Sequence, residues 1–563
     1  MRRSDPESPS LALAQVDKCG NCVYQTCVRH QIADDAIGAS GGPSSFPATG
    51  DTIYALSTGQ GRAGIAAIRI SGPSCLDVYQ ALCPAKTPPR PRYAAVRTLY
   101  EPQSPPPEDP VVLDSHALVL YFPGPRSVTG EDVLELHVHG GPATVKAVLA
   151  AIPRCPSRWR VRYAEPGEFT KRAFIHDRLD LAQIEALSDT LAAETEQQRR
   201  AAVRGSSGAL GRTYESWREQ LLLARGEIEA LIDFSEDQHF DESPSHLLDN
   251  VSRQVGEMLH AIRLHELAGQ RSELLRNGIR IALLGPPNVG KSSLMNLIVG
   301  REASIVSGEA GTTRDIVEAS LDVRGYLCAF ADTAGFRSGT RSDPSGGQGA
   351  DGDAIGAVEA EGIRRARQKA QDSDVVMVLA SVEMGPDGPF LHYDTETLDL
   401  AAQAAARLII VNKRDAVDEA TLATLLGRFR ETLRQLDPAL AETEPLIISC
   451  RQAQSPCADP GAGVQGVVEA LAGAFARMTD MPAHLQDMLG VTERQRQLLA
   501  RCRGHLEAFM HEAQPGRGGE PDLEPDSVLA AEFLRYAADC LARITGKGEA
   551  GDVEDVLGVV FEK

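Results

Sequence analysis

Apolar residues alternate with polar ones in the first part of the chain and recur at helical spacing in two later parts. The alternation predicts strands at residues 52–56, 64–70, 117–122 and 133–138. After residue 165 the spacing becomes helical, and the apolar positions on one face of the first helix are Leu181, Ile184, Leu187 and Leu191. Helical spacing continues through residues 217–232 and returns between about residue 485 and residue 544. The pattern predicts an α+β domain followed by a helical domain in two pieces.

Between the two helical pieces, four short apolar runs each end in a glycine-rich or polar motif. The runs occupy residues 279–284, 326–331, 408–411 and 446–448. Buried parallel strands have this continuous apolar character, and open α/β sheets bind ligands at the carboxyl ends of their strands. The sequence therefore predicts five segments: a polar N-terminal extension (1–50), an N-terminal domain (51–170), a helical domain (171–277 and 476–563) and an inserted α/β domain (278–475).

The first run leads into Gly285-Pro-Pro-Asn-Val-Gly-Lys-Ser-Ser293, which has the order strand, G-x-x-x-x-G-K-S, helix of a phosphate-binding P-loop. Backbone N–H groups of such a loop surround a phosphate at the positive end of a helix. We expect Lys291 to reach the outer phosphates and Ser292 to place its hydroxyl on Mg²⁺. Asp332-Thr-Ala-Gly335 ends the second run, where related folds hold Mg²⁺ through water. Phe336 stands where many small GTPases carry a water-orienting glutamine, so another group must orient the water.

The third and fourth runs point to guanine as the base. Asn412-Lys-Arg-Asp415 ends the third, and Ser449-Cys-Arg451 follows the fourth. A carboxylate at Asp415 can accept hydrogen bonds from N1–H and the 2-amino group of guanine. Adenine has neither donor and would leave a buried Asp415 unpaired, at about 1–3 kcal/mol per unsatisfied group. We therefore predict that the nucleotide is GTP.

Composition limits the remaining choices. The chain has 563 residues, of which 42% are hydrophobic and 24% charged, as in globular proteins of three or four domains. Its net charge of -21 argues against broad, non-specific nucleic-acid binding, and no apolar run approaches a membrane span. The extension contains Cys19, Cys22, Cys27 and His30, which offer a zinc ligand set at a spacing that matches no known finger. We interpret them as incidental thiols, with a zinc site as the alternative.

Several longer motifs resemble those of the tRNA modification GTPase family known as MnmE or TrmE, from about residue 51 to the end. The motifs that carry the resemblance are Gly61-Arg-Ala-Gly-Ile-Ala-Ala-Ile-Arg-Ile-Ser-Gly72, Thr129-Gly-Glu-Asp-Val-Leu-Glu-Leu136, His139-Gly-Gly-Pro142, Glu165-Pro-Gly-Glu-Phe-Thr-Lys-Arg172 and Ile305-Val-Ser-Gly-Glu-Ala-Gly-Thr-Thr-Arg-Asp315. The resemblance implies a multidomain α/β + α protein: a folate-binding α+β domain, a helical domain and an inserted P-loop GTPase domain.

The resemblance also implies ligands and their residues. The GTP-binding positions are Asn288, Val289, Gly290, Lys291, Ser292, Ser293, Thr312, Thr313, Asp332, Thr333, Ala334, Gly335, Asn412, Lys413, Asp415, Ser449, Cys450 and Arg451. The Mg²⁺ ligands are Ser292 and Thr313, and the ligands of an activating K⁺ are Asn288, Ser307, Glu309 and Thr312. The catalytic position is Glu359, with Glu361 as the alternative. A 5-formyl-tetrahydrofolate would contact Arg69, Glu135 and Arg178. On the same strand as Glu135, His137 and His139 are interpreted as structural.

We expect a K⁺-activated, homodimeric GTPase that forms a heterotetramer with an FAD-dependent partner of the MnmG or GidA type. Together they would add a carboxymethylaminomethyl-type group to C5 of the wobble uridine of tRNAs. The alternatives are a GTPase switch in ribosome assembly and a folate- and GTP-binding module without modifying activity. The expected location is the mitochondrion, with a bacterial cytoplasm as the alternative. The family ends in Phe-Cys-x-Gly-Lys, whereas this chain stops at Lys563 before that motif, through truncation or through loss of the cysteine.

Overall fold

The computed structural model describes residues 50–103, 110–233, 244–301, 303–307, 320–330, 364, 367–454, 463–513 and 526–548. The chain divides into two compact units, and the boundary lies between Leu181 and Ala182. The first unit holds the predicted N-terminal domain. The second, which extends to Gly548, holds the helical and α/β parts.

The first unit is built on a six-stranded sheet with the order β3-β4-β5-β2-β1-β6. Its strands are β1 Thr52–Leu56, β2 Ile65–Ser71, β3 Ala95–Tyr100, β4 Val112–Phe122, β5 Val133–His139 and β6 Val161–Tyr163. Neighbouring strands are antiparallel except β1 and β6, which are parallel. The helices of this unit are α1 Cys75–Leu82, α2 Pro142–Ala151 and α3 Glu168–Ile175.

Alternation along β5 decides what each face of this sheet contacts. Leu134, Leu136 and Val138 are buried in a core that includes residues of α1 and α2. Glu135 and His137 point to the opposite face, because successive side chains of a strand alternate between faces. Glu135 and its strand neighbour Arg69 are two of the three residues that the resemblance assigns to folate binding.

The second unit begins with four helices: α4 Leu181–Ala192, α5 Glu196–Gly205, α6 Ala209–Asp233 and α7 Pro244–Asn277. The apolar face predicted for α4 is correct at its start, since Leu181 and Ile184 are buried. It is wrong at its end, where Leu191 is 54% exposed, because this residue lies in the last turn of the helix. Helix α7 leads through Gly278, at φ 86°, into the α/β part.

The α/β part is an eight-stranded sheet with the order β14-β13-β11-β7-β10-β9-β8, and β12 pairs with β11. Its strands are β7 Ile279–Leu284, β8 Ala303–Ser307, β9 Ser320–Val323, β10 Tyr326–Phe330, β11 Val375–Gly385, β12 Gly388–His392, β13 Ala406–Asn412 and β14 Leu446–Ile447. Its helices are α8 Lys291–Arg301, α9 Thr395–Gln403, α10 Glu419–Leu436, α11 Pro438–Ala441, α12 Cys450–Ala453 and α13 Val464–Thr479. Residues 375–382 of β11 are all buried, as in a central strand covered on both faces.

Two helices complete the unit: α14 Glu493–Ala513 and α15 Ser527–Thr545. They share one hydrophobic core with α6 and α7, in which Tyr214, Ile262, Phe509 and Leu541 are fully buried. The helical core therefore combines helices that precede the α/β part in sequence with helices that follow it. The predicted insertion of the α/β part into the helical domain is confirmed. Among the described residues, no helix combines the length and apolar character needed to cross a membrane.

Candidate functional site

The loop between β7 and α8 approaches neighbouring backbone and side-chain atoms so closely that its two motif glycines are required. A Cβ at Gly285, where φ is 140°, would lie 2.3 Å from the carbonyl oxygen of Leu379 on β11. A Cβ at Gly290, where φ is 102°, would lie 2.3 Å from Nδ2 of Asn412. Both distances are well inside van der Waals contact, and both φ values favour glycine. The loop therefore packs against β11 and against Asn412 at the end of β13.

Lys291 is the first residue of α8 and is bonded to the loop itself. Its Nζ donates to the carbonyl oxygens of Gly285 and Pro286, each at 2.7 Å. Burial, with a further contribution from the charge of Lys369, lowers the pKa of Lys291. Ser292 and Asn288 are exposed on the same loop and helix start. The arrangement places a lysine, a hydroxyl and a helix N-terminus together, as phosphate binding requires.

Asn412, the last residue of β13, joins the P-loop to the segment after β14. Its Nδ2 donates to the carbonyl oxygen of Val289 at 2.8 Å, and its Oδ1 accepts from the backbone N–H of Cys450 at 3.1 Å. The side chain is 2% exposed, so both hydrogen bonds are shielded from water. Burial raises the pKa of the Cys450 thiol to about 11, which keeps this thiol protonated at neutral pH. Asn412 is therefore a structural link between two parts of the predicted site.

Asp415 and Ser449 meet beside this link. The Ser449 hydroxyl donates to Oδ1 of Asp415 at 2.6 Å and accepts from the N–H of Gln452 at 3.1 Å. The side chain of Asp415 is exposed, because it lies on the short helical turn Arg414–Ala416 that follows β13. Arg451 is also exposed, on α12. The Asp415 carboxylate is therefore exposed at the edge of the sheet where the strands have their carboxyl ends. A bound nucleotide base would cover it there.

The sequence did not identify one charged neighbour of this turn. Glu383, near the end of β11, forms an ion pair with Lys413 and accepts from the hydroxyl of Ser381 at 2.8 Å. In the sequence, only the length of the apolar run of β11 points to Glu383. Strand β11 extends beyond the residue that pairs with Asn412 and forms a hairpin with β12.

Several predicted residues lie outside the described part of the chain. They are Glu309, Thr312, Thr313, Asp332, Thr333, Ala334, Gly335, Glu359, Glu361 and the extension residues Cys19, Cys22, Cys27 and His30. Ser307 is the last residue of β8, where its backbone pairs with Ser320. Among the residues that are described, no group of three or more His, Cys, Asp or Glu side chains is arranged to hold a metal ion.

In the first unit, two of the three predicted folate contacts form a pair. Arg69 and Glu135 are direct neighbours on β2 and β5, and Oε1 of Glu135 accepts from Nε of Arg69 at 3.0 Å and from Nη2 at 2.9 Å. Oε2 of Glu135 lies 3.3 Å from Nε2 of His137. The guanidinium carbon of Arg69 is 5.9 Å from the ring centre of Phe169 on α3. Arg178 follows α3, and its Nε donates to the carbonyl oxygen of Ser127 at 3.0 Å.

A buried charge network fixes α3 to the start of the sheet. Arg172, 4% exposed, donates to Oδ1 of Asp51 at 2.8 Å, to Oε2 of Glu131 at 2.9 Å and to Oε1 of Glu168 at 3.1 Å. Arg162 also bonds Glu168, through Nη1 to Oε2 at 2.8 Å. Burial opposes ionisation of Asp51 and Glu168, yet their arginine partners hold the pKa of each carboxyl below its ordinary value. The network places Phe169 next to Arg69.

Contacts also join the sheet of the second unit to its helices. The N–H of Gln197, in the first turn of α5, donates to the carbonyl oxygen of Gly325 in the β9–β10 turn at 3.0 Å. Gln198 donates from Nε2 to the carbonyl oxygen of Arg276 at 3.0 Å, and Arg276 forms an ion pair with Asp189 on α4. The β9–β10 turn is thus joined to α5, and α5 is joined to α7 and through it to α4.

Comparisons with known proteins agree from residue 52 onward. The model of the GTP-binding protein TrmE N-terminus matches residues 52–178, and the model of the MnmE helical domain matches residues 181–563. The mitochondrial 5-taurinomethyluridine-tRNA synthase subunit GTPB3 of Homo sapiens is 36% identical over 531 residues, covering 93% of this chain and 94% of the relative. The tRNA modification GTPase MnmE of Parvibaculum lavamentivorans is 38% identical and covers 91% and 98%. The mitochondrial tRNA modification GTPase mss1 of Schizosaccharomyces pombe is 35% identical and covers 91% and 94%.

Proposed function

The chain belongs to the MnmE or TrmE family of tRNA modification GTPases, and from this premise we propose that it modifies C5 of the wobble uridine of tRNAs in a GTP-dependent cycle. The observation that carries the proposal is the meeting of the P-loop, Asn412, Asp415 and Ser449 at the carboxyl ends of adjacent strands. That edge of an open α/β sheet is where a nucleotide binds. The N–H groups of the loop and Lys291 would hold the phosphates, and Asp415 would select guanine.

The residues present fit a bound Mg²⁺. The exposed hydroxyl of Ser292 beside Lys291 is a hard oxygen ligand at the right end of α8, and Thr313 would supply the second. Mg²⁺ would neutralise phosphate charge when bound. Asn288, at φ 64° and exposed on the loop, would offer its side-chain oxygen to K⁺, together with Ser307, Glu309 and Thr312. Glu359 would orient the attacking water, since Phe336 cannot.

For the folate-type donor, the proposal rests on the Arg69–Glu135 pair on the open face of the first sheet. A guanidinium next to a carboxylate offers donors and acceptors of the kind that a pterin ring and a glutamate tail need. Arg178 would complete this set. His137 contacts Glu135 and would restrict its rotation. The group therefore fits a 5-formyl-tetrahydrofolate or a related tetrahydrofolate.

The partners and location that we propose are those that the family resemblance implies. The chain would act as a homodimer with an FAD-dependent protein of the MnmG or GidA type, and hydrolysis would drive opening and closing of the GTPase domains. The human and fission-yeast relatives are named as mitochondrial, which supports the mitochondrion as the location. The name of the human relative specifies a 5-taurinomethyluridine product, so a taurine-derived group is the related aminomethyl product to test beside the carboxymethylaminomethyl type. A bacterial cytoplasm is the alternative location, with bacterial relatives such as that of Parvibaculum lavamentivorans.

The test is reconstitution of tRNA modification. Purified chain, an FAD-dependent partner of this type, tetrahydrofolate donor, amine and unmodified tRNA are incubated with GTP, and nucleosides are measured by mass spectrometry. We expect a C5-modified uridine with GTP and none with a non-hydrolysable analogue or with Lys291→Ala. Arg69→Gln should abolish the product while leaving GTP hydrolysis intact. Normal hydrolysis with no product from the unaltered chain would contradict the modifying role and favour the switch or binding-module alternatives.

A further inference from the structure

The hairpin of β11 and β12 brings an acidic side chain to the turn that presents Asp415. Ser381 on β11 lies opposite Asn412 on β13, where the parallel pairing of the two strands ends. Strand β11 continues to Gly385 and pairs with β12 from Ser381 opposite His392 to Gly385 opposite Gly388. The hairpin therefore projects from the same edge of the sheet as the guanine motif, beside Lys413.

Two side chains, Lys413 and Ser381, contact the carboxylate of Glu383. Its Oε1 contacts Nζ of Lys413 and accepts from the hydroxyl of Ser381 at 2.8 Å. Ser381 is fully buried, so its hydroxyl is a fixed donor. The side chains of Lys413 and Glu383 are 35% and 32% exposed, which shields their charges only in part from solvent. The Lys413 ammonium, with the Ser381 hydroxyl, holds the pKa of Glu383 below its ordinary value, so the carboxylate is ionised at neutral pH.

Lys413 has a backbone conformation that needs support. Its φ of 62° and ψ of 35° are left-handed, a conformation that is unfavourable for a residue with a Cβ. This bend allows the N–H of Arg414 to reach the carbonyl oxygen of Ile448 at 3.2 Å and brings Asp415 to Ser449. A restraint on the Lys413 side chain therefore stabilises the turn from which Asp415 meets the base.

We propose that Glu383 is a positioning residue for guanine recognition, which acts through Lys413 to hold the Asp415 turn in its binding conformation. The β11–β12 hairpin is then part of the guanine-specific site. This role of Glu383 rests on guanine-nucleotide binding at this edge of the sheet and is independent of the folate and K⁺ assignments of the proposed function.

The test measures binding of GDP and IDP by the full chain, since IDP lacks the 2-amino group and makes one bond fewer to Asp415. Glu383→Gln removes the charge and keeps the shape, and we expect GDP affinity to fall about 3- to 10-fold and the preference for GDP over IDP to shrink. The maximal rate of GTP hydrolysis should stay within about twofold, because no group at the phosphates is changed. Glu383→Asp, which keeps the charge, should restore part of the affinity. Glu444→Gln is the matched control, because Glu444 is 86% exposed in a pair with Arg430 at 3.6 Å.

Testing Glu383→Gln in a Lys413→Met variant distinguishes a role of Glu383 that acts through Lys413 from a general effect on the hairpin. If Glu383 acts through Lys413, adding Glu383→Gln to Lys413→Met should weaken GDP binding no further, since the pair is already broken. An additional loss in that background as large as in the unaltered chain would overturn the inference. So would an unchanged GDP affinity in Glu383→Gln. Failure of the unaltered chain to bind GDP would refute the nucleotide site and this inference together.

Discussion

Asn412 links the P-loop to the segment after β14, so we expect Asn412→Ala to impair guanine-nucleotide binding by breaking this link. The substitution leaves the Val289 carbonyl and the Cys450 N–H without their hydrogen-bond partner. Asn412 is 2% exposed, so water does not replace its amide. Each unsatisfied buried group costs about 1–3 kcal/mol, or about 2–6 kcal/mol for both. Domain stabilities are about 5–15 kcal/mol, so a large part of the local stability depends on one amide.

The assay combines GDP titration with thermal unfolding of the full chain. We expect GDP affinity to fall by about 30-fold or more, which corresponds to about 2 kcal/mol, the lower end of this range, because nucleotide binding must then hold the loop without the Asn412 link. Asn277→Ala is the control, because the side chain of Asn277 makes an exposed contact of 3.4 Å with Glu273, and this variant should bind GDP normally. If Asn412→Ala bound GDP within threefold of the unaltered chain, the link would carry little energy and the reasoning would be refuted.

Two further predictions concern the cation and the charge network. GTP hydrolysis should be much faster in KCl than in NaCl, and both Asn288→Ala and Glu359→Ala should collapse the rate in KCl; equal rates in the two salts would rule out the cation site. Arg172→Met should lower the stability of the first unit by about 3–5 kcal/mol at pH 7, measured by hydrogen exchange in β1 and α3, because it strands buried carboxylates. Since the pKa values of Asp51 and Glu168 are depressed in the folded chain, this stabilisation is present above their unfolded values and is lost as pH falls, so the deficit should shrink below about pH 4. A deficit that does not change with pH would contradict this assignment.

The sequence was most informative where local patterns determine structure. The alternation predicted β1 with its observed bounds and β5 with an end one residue from the observed one. The prediction of a P-loop between β7 and α8 depended on two glycines that the backbone geometry requires. The resemblance to the MnmE or TrmE family is confirmed by family models over almost the whole chain from residue 52. In these cases a local motif was enough for the prediction, even though the contacts that require Gly285 and Gly290 come from Leu379 and Asn412, which are distant in sequence.

The sequence was less informative where the interaction is between distant residues. It did not predict β3, whose alternation is broken by Arg97 and Thr98, or the three-residue β6. The pair of Glu383 with Lys413 joins residues 30 positions apart and depends on the register of β11 against β13. The exposure of Asp415 depends on how far the turn lies from the sheet edge, which periodicity does not encode.

The most direct test of the central claim is the nucleotide specificity of Asp415→Asn, measured as hydrolysis of GTP and of XTP by the purified chain. Xanthine carries an oxygen where guanine has its 2-amino group, so an amide that can donate should accept xanthine and reject guanine. Loss of two hydrogen bonds to a charged group, about 1.5–3 kcal/mol each, predicts at least about a 100-fold fall in kcat/KM for GTP and a gain for XTP. Unchanged use of GTP by Asp415→Asn would contradict the guanine site and the GTPase mechanism built on it.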